Sequence, residues 1–302
     1  MQVCLNGRFV PLKDAGVSIM DHGFLYGDGV YETIRVYNAR PFFLREHLRR
    51  LAHSMKGIHL PPPFSFRQLE ESIAKVIALN RHHESVVRVI VTRGPGPYGF
   101  DTRQCISPTW VVTSTPFGGY PAEYYRDGMT VAVVSVVRND PGALPPSVKY
   151  TSCLNGILAK IEATRMRANE ALMLDRHGYL AEGSVSNAFL VRKNVVYTPA
   201  LTGELLPGVT RGFVIKLARK MGYRVLETKV TCRQLLAADE IFLTNTLMEI
   251  MPVGRLAFAK NLKPKGPSKI GWITAAKASK KRSHFSGSVT SHLIGQYKRA
   301  LA

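Results

Sequence analysis

Lys149 stands at the last extended position of PSVKYTSCLNGILAK, residues 146–160, just ahead of a run whose apolar residues Leu154, Ile157, Leu158 and Ile161 recur at helical spacing. A lysine that bonds covalently to an aldehyde must be neutral part of the time, so it needs a partly desolvated site beside other groups. Taken alone, a lysine before a helix is ordinarily a solvated surface charge. Glu182, in LAEGSVSN, ends a strand whose neighbours are small. A carboxylate there can hold the proton of a pyridinium ring and so make that ring an electron sink; taken singly it equally reads as a turn glutamate at a hairpin end. In LLPGVTR, Pro207 and Gly208 precede the first turn of a helix, where the amides of Val209 and Thr210 lack intrahelical partners. With the Thr210 hydroxyl they form a phosphate seat; plain N-capping by Thr210 is the alternative. Arg50, in the helical stretch REHLRRL, carries a planar fork suited to the same phosphate, although most helix arginines are simply exposed. The glycine patterns YGDG and TRGPGPYG lack the strand-to-helix layout of a nucleotide fingerprint and read as turns.

The elements that would position these groups can be read in order. VCLNGRFVPL is a hairpin around Asn-Gly, and GVYETIRVYNARPFFL is two strands joined at Tyr37–Arg40. REHLRRLAHSMKGI and FRQLEESIAKVIALN have apolar residues at helical spacing, and SVVRVIVTRG and TWVVTSTP are β-rich. The Pro-, Gly- and Tyr-rich stretch 115–128 reads as a linker between a small domain, residues 1–114, and a larger one, residues 129–302. The larger part reads as a buried strand (MTVAVVSVV), the Lys149 segment with its helix, and strands turning at His177–Gly178 and Lys193–Asn194. The helix after LLPGVTR and a strand–turn–strand in DEIFLTNTLMEIMPV complete it. The pattern indicates an α+β protein without internal repeats.

Composition narrows the class. With 302 residues and 45% apolar content, the chain can bury a sizeable core. No window is long and apolar enough for a membrane span, and MQVCLNGRFV lacks the layout of a secretory signal. Cys4, Cys105, Cys153 and Cys232 are far apart, which argues against a metal site and fits reduced thiols in a cytoplasm. The net charge is +20, and eleven of the basic residues fall between Arg255 and Arg299, a stretch without a single acid. That stretch is punctuated by Gly, Pro and Ser and lacks interleaved aromatics, so it reads as a solvated loop, and nucleic acid is not an expected partner.

In sequence order, LNGRFVP, YGDGVYETIRVY, FFLREHLRRL, VKYTSCLNGILAKIEA, GYLAEGSVSNAF, LLPGVTR and FLTNTLMEIMPV resemble the fold-type IV pyridoxal-phosphate enzymes. These are the class IV aminotransferases: branched-chain aminotransferases, D-amino-acid aminotransferases and aminodeoxychorismate lyases. The resemblance covers roughly residues 5–255. It implies a small N-terminal α/β sandwich domain and a larger C-terminal pseudo-barrel domain, with pyridoxal 5'-phosphate bound between them. It also implies a homodimer or higher homo-oligomer in which each site borrows residues from its neighbour. Residue by residue, Lys149 matches the lysine that binds the cofactor covalently and shuttles the substrate's α-proton. Glu182 matches the carboxylate on the ring nitrogen, and Arg50, Val209, Thr210 and Thr246 match the phosphate ligands. Tyr31, Thr33, Arg88, Tyr98 and Leu247 fall at substrate-pocket positions.

The chain departs from each branch of the family. Cys153 stands where branched-chain enzymes often have a tyrosine, Val86-Val87-Arg88 replaces their Tyr-x-Arg, and Thr33 replaces a glycine. The Arg-x-His that traps a carboxylate in D-amino-acid enzymes is replaced by Tyr98 and Phe100. Thr33 and NTLM, residues 245–248, are lyase-like, but many lyases have an arginine where Tyr98 stands. GSVTSHLIGQYKRAL, from Gly287, resembles the family's closing helix, which makes the basic segment at about 257–285 an insertion or a rewritten loop. The expected activity is amino transfer from a branched-chain or similar apolar L-amino acid to 2-oxoglutarate, with aminodeoxychorismate lyase and D-amino-acid transamination as alternatives.

Overall fold

Asn6 and Gly7 take φ values of +50° and +83°, the backbone a two-residue hairpin needs, and they join β1 (Gln2–Leu5) to β2 (Arg8–Pro11). The computed structural model describes residues 1–202, 205–262, 273–274 and 288–301. The chain divides into two units, one of Met1–Gly118 with Val148–Cys153, the other of Gly119–Ser147 with Leu154–Ala302. The stretch expected as a linker is more structured than its composition suggests, since it holds the end of a strand at Pro116 and a short helix, Ala122–Asp127. Val148–Cys153, expected within the larger part, belongs to the first unit.

The first unit is one antiparallel sheet with two helices on it. After a short helix α1 (His22–Tyr26), capped by Asp21, come β3 (Gly29–Tyr37), β4 (Arg40–Pro41), α2 (Leu44–Gly57), α3 (Phe66–Asn80), β5 (Ser85–Thr92) and β6 (Thr109–Pro116). The six strands run in the order β2-β1-β6-β5-β3-β4. α3 begins at Ser65, whose hydroxyl accepts from the amide of Gln68, and it buries Leu69, Ile73, Val76 and Ile77. α2 buries His47, Leu48, Leu51, Ser54 and Met55, so its inner face mixes polar and apolar groups. These side chains and the inward residues of β3, β5 and β6 make one core.

The second unit adds, in order, α4 (Ala122–Asp127), β7 (Met129–Val133), α5 (Leu154–Arg165), β8 (Glu170–Leu174), β9 (Leu180–Gly183), β10 (Asn187–Arg192) and β11 (Val195–Pro199). They are followed by α6 (Val209–Lys220), β12 (Val225–Thr228), α7 (Cys232–Leu236), β13 (Glu240–Asn245), β14 (Glu249–Phe258), β15 (Ile273–Thr274) and α8 (Val289–Arg299). The nine strands run β12-β11-β10-β13-β14-β7-β8-β9, with β15 pairing β14. β9 lies at one edge, yet only Ser184–Ser186 separate it from β10. That link spans roughly 15 Å at full stretch, whereas the strand spacings between β9 and β10 would add up to about 24 Å in a flat sheet. The sheet therefore curls, as a pseudo-barrel must.

α5 forms where the helical spacing predicts it, but the apolar stripe is not the face it buries. Leu154, Ile157, Leu158 and Ile161, the stripe that made the helix legible, are all exposed, and the helix turns Ala159 and Ala163 to the sheet instead. Small residues win because the approach is close: a Cβ on Gly156 would sit 2.8 Å from the carbonyl oxygen of Ser184. The closing helix α8 is anchored by Glu240, whose carboxylate accepts from the amides of Val289 (3.0 Å) and Thr290 (2.9 Å). Of the expected basic insertion at about 257–285, residues 263–272 and 275–285 lie outside the described residues. Among the described residues no helix is long and apolar enough to cross a membrane.

Candidate active site

β3 sorts its side chains by alternation. Val30, Glu32, Ile34 and Val36 point to the helices and are buried, while Tyr31 and Thr33 point the other way. The Lys149 segment adds to the edge of β3 as a short antiparallel pairing. The amide of Tyr31 donates to the Lys149 carbonyl (3.0 Å), and that of Thr151 donates to the Gly29 carbonyl (2.9 Å). The Lys149 amide itself donates to the Ser54 hydroxyl on α2 (3.0 Å), and the buried Val148 side chain fills the space that a Cβ on Gly57 would need. The backbone around Lys149 is thus held from two elements.

Its side chain lies over Tyr31, with Nζ 4.4 Å from the ring centroid. The guanidinium of Arg88, paired across from Thr33 on β5, also packs on that ring at 3.7 Å and donates to the Thr33 hydroxyl (2.9 Å). Burial, reinforced by the charges of Arg50 and Arg88 and opposed by Glu32, pushes the Lys149 amine down to about 8. An amine so placed is neutral in a useful fraction near neutral pH. The Tyr31 hydroxyl is pushed above its usual range by burial and by Cys153, whose Sγ lies 3.7 Å away.

Behind this face, Glu32 is wholly buried. It accepts from His47 Nδ1 (2.8 Å) and from Arg50 through both Nε (2.7 Å) and Nη2 (2.9 Å). Burial alone would raise its carboxyl, but the Arg50 charge and the two partners' hydrogen bonds win and hold it well below the usual carboxylate range. Burial pushes the His47 imidazole down, so it serves as a neutral donor.

In the second unit, Glu182 on β9 is a buried carboxylate held at both oxygens. Oε1 accepts from Arg138 Nε (2.7 Å), and Oε2 accepts from the Leu206 amide (3.1 Å) and the Asn187 side-chain amide (3.3 Å). Arg138 also donates to Asn155 (3.1 Å). Asn187 in turn abuts the start of α6, where a Cβ on Gly208 would fall 2.0 Å from Asn187 Oδ1. Only glycine fits this N-cap, and it brings no side chain to cap the first amides at Val209 and Thr210. Thr246 and Leu247 lie half-buried on the β13–β14 turn, where Asn245 Oδ1 accepts from the Leu247 and Met248 amides. The hydroxyls of Ser186 and Thr244 are buried without a hydrogen-bond partner among the described residues.

The structure thus gathers Lys149, Tyr31, Thr33 and Arg88 on one face of the first unit, with Arg50 joined to Glu32 behind it. In the second it gathers Glu182 with the head of α6. Tyr98 is 77% exposed on the β5–β6 loop. Sequence reasoning missed Glu32, His47, Ser54, Arg138, Asn155 and Asn187. Glu32 carried a readable signal, a charge at an inward position of β3 with His and Arg three residues apart on the next helix. Arg138 carried none, because a loop arginine has no periodicity.

The model of a family described as amino-transferase class IV matches residues 29–256. The chain belongs to the class IV aminotransferases. A Methanocaldococcus jannaschii protein provisionally named branched-chain-amino-acid aminotransferase is 40% identical over 253 residues, 84% of this chain and 87% of its own. The crystal structure of the Escherichia coli branched-chain amino acid aminotransferase is similar over 100% of this chain and 94% of that one, with a TM-score of 0.89 and 30% identity. The T.th. branched-chain amino acid aminotransferase, solved with pyridoxamine 5'-phosphate, covers 99% of this chain and 93% of its own, with a TM-score of 0.86 and 32% identity. The two-domain α+β fold of class IV aminotransferases is therefore the fold of this chain.

Proposed function

We propose that this class IV aminotransferase uses pyridoxal 5'-phosphate to move the amino group of a branched-chain or similar apolar L-amino acid to 2-oxoglutarate. The observation that carries the reading is the Lys149 amine, fixed through its backbone on the β3 edge and pushed down to about 8. The donor set fits the cofactor. Glu182 is a buried, oriented carboxylate suited to a ring nitrogen, Gly208 leaves helix amides uncapped for a phosphate, and Ser186 and Thr244 are orphaned buried hydroxyls. Lys149, Arg50, Glu182, Val209, Thr210 and Thr246 would hold it.

When bound, the cofactor supplies an electrophilic aldehyde and a ring that takes up the electron pair left at the substrate Cα. The Lys149 amine, neutral in part, removes the Cα proton and keeps it for return. Glu182 holds the proton at the ring nitrogen, and its bond from Arg138 offsets the cost of burying that charge. Tyr31 offers ring surface to an apolar side chain, and Arg88, held by Thr33, offers a fork to a carboxylate. Tyr98 and Leu247 are the further substrate contacts implied by family position. The exposed α5 stripe and the exposed Tyr98, Phe100 and Ile106 suit burial against a second copy, so the working form is a homodimer. A cytoplasmic location accords with the four free cysteines.

The test mixes the protein and cofactor with leucine and 2-oxoglutarate and, separately, with aminodeoxychorismate. Glutamate without 4-aminobenzoate is expected; the reverse transfers the assignment to the lyase reaction, and glutamate from D-leucine alone reverses the stereochemistry. Borohydride should attach the cofactor to the peptide containing Lys149, and Lys149→Ala should lower turnover by at least about 10³-fold. Normal turnover by that variant ends the assignment.

A further inference from the structure

The Lys149 face is built on a charge that the proposed reaction does not itself use. α2 presents three polar side chains inward at helical spacing, His47, Arg50 and Ser54. Two of them close on Glu32 and the third holds the Lys149 backbone. Glu32 has no exposed surface, and its oxygens are saturated by an imidazole and a bidentate guanidinium. Such a group is costly to bury, and an apolar residue continuing the Val30–Ile34–Val36 row would pack there more simply. Something other than packing accounts for it.

We propose that Glu32 is a positioning residue for the proposed aminotransferase site: it pins the Arg50 guanidinium through Nε and Nη2 and supplies, from behind the face, the buried negative charge that acts on Lys149. The groups that act on the Lys149 amine are Arg50 and the titratable His47 from α2, Tyr31 and Glu32 from β3, Arg88 from β5 and Cys153 from its own segment. Two of these are fixed cations, and Glu32 is the carboxylate that answers them. Without it, Arg50 loses the bidentate hold on Nε and Nη2 and the charge opposite its own, and protonating Lys149 becomes harder. With it, the amine keeps a midpoint near 8 and can carry a proton as well as take one. His47 donates to Glu32 as a neutral ring, so it orients the carboxylate without adding a third positive charge.

The inference rests on the function proposed above for its purpose, but its test does not need the cofactor. The full chain, freed of any carbonyl ligand with hydroxylamine, is labelled with trinitrobenzenesulfonate, which reacts only with neutral amines. Labelling of the Lys149 peptide is followed by mass spectrometry from pH 6 to 10. The wild-type midpoint is expected at about 8 and that of Glu32→Gln about one pH unit lower. A folded Glu32→Gln protein with the wild-type midpoint overturns the proposal, since a purely structural carboxylate would lower only the melting temperature.

If Glu32→Gln does not fold because Arg50 has lost its anion, the doubly neutral Glu32→Gln/Arg50→Gln protein removes that penalty. Arg50→Gln should then label at a midpoint about one pH unit above the double variant, and equal midpoints overturn the proposal. A visible band with added cofactor, together with unshifted midpoints, would sink this inference and leave the proposed function standing. Absence of the band in the wild type would do the reverse.

Discussion

Each unit holds a buried carboxylate against an arginine, Glu32 with Arg50 and Glu182 with Arg138, and these two pairs are built with opposite roles. In the first unit Glu32 is the hidden member, wholly enclosed, and the groups it holds, His47 and Arg50, lie behind the Lys149 face. In the second, Glu182 is the member suited to touch a ligand, and Arg138, with Asn155 behind it, is the support. The supports differ as well. Glu32 draws on two side chains of one helix, whereas Glu182 draws on a loop arginine, a strand asparagine and a backbone amide. A buried Arg–carboxylate pair therefore does not reveal by itself which partner acts; the second contact of each partner does.

The contrast can be broken most sharply at Glu182. Glu182→Ala should lower kcat by about 10²–10³-fold, near 3–4 kcal/mol of barrier, in steady-state assays with leucine; a variant affected only in stability would show that both carboxylates are supports. Arg138→Met comes next. It leaves a buried carboxylate short of its cation and should cost about 2–3 kcal/mol in urea unfolding, with the loss relieved in Arg138→Met/Glu182→Gln. Gly208→Ala sharpens the picture of how Glu182 is aimed. Its new Cβ meets Asn187, so about 1–2 kcal/mol of stability and a several-fold weaker hold on the cofactor are expected from equilibrium dialysis. The smallest effect tests neither pair. Leu158→Glu, on the exposed α5 stripe, should change unfolding of a single chain by less than about 0.5 kcal/mol, yet light scattering should show the dimer's mass halved.

The parts of this arrangement legible in the sequence were those with local signatures. The Asn6–Gly7 hairpin, the helical spacing of α2 and α3, and the proline–glycine entry to α6 are written in neighbouring residues, and so are the motifs around Lys149 and Glu182. What could not be read depends on separation along the chain. The pairing of Lys149 with β3 joins residues more than a hundred positions apart through main-chain groups, which no side-chain pattern records. Arg138 finds Glu182 from a loop. α5 was legible as a helix but not in its buried face: its apolar stripe faces away from the sheet of its own unit, to which the helix turns Ala159 and Ala163.

The detour that places Val148–Cys153 in the first unit has a consequence for how the chain is made. When the ribosome has delivered Gly118, the sheet that will carry the lysine still lacks its last edge, and Gly119–Ser147 must emerge before that edge arrives. At ~5–20 residues per second the wait lasts roughly 1.5 to 6 seconds. Through it, the Gly29–Tyr31 edge of the nascent protein is bare to any passing extended chain. A fragment ending at Gly118 would carry that exposed edge permanently, so the lysine segment doubles as the seam that makes the amino-terminal half safe to release.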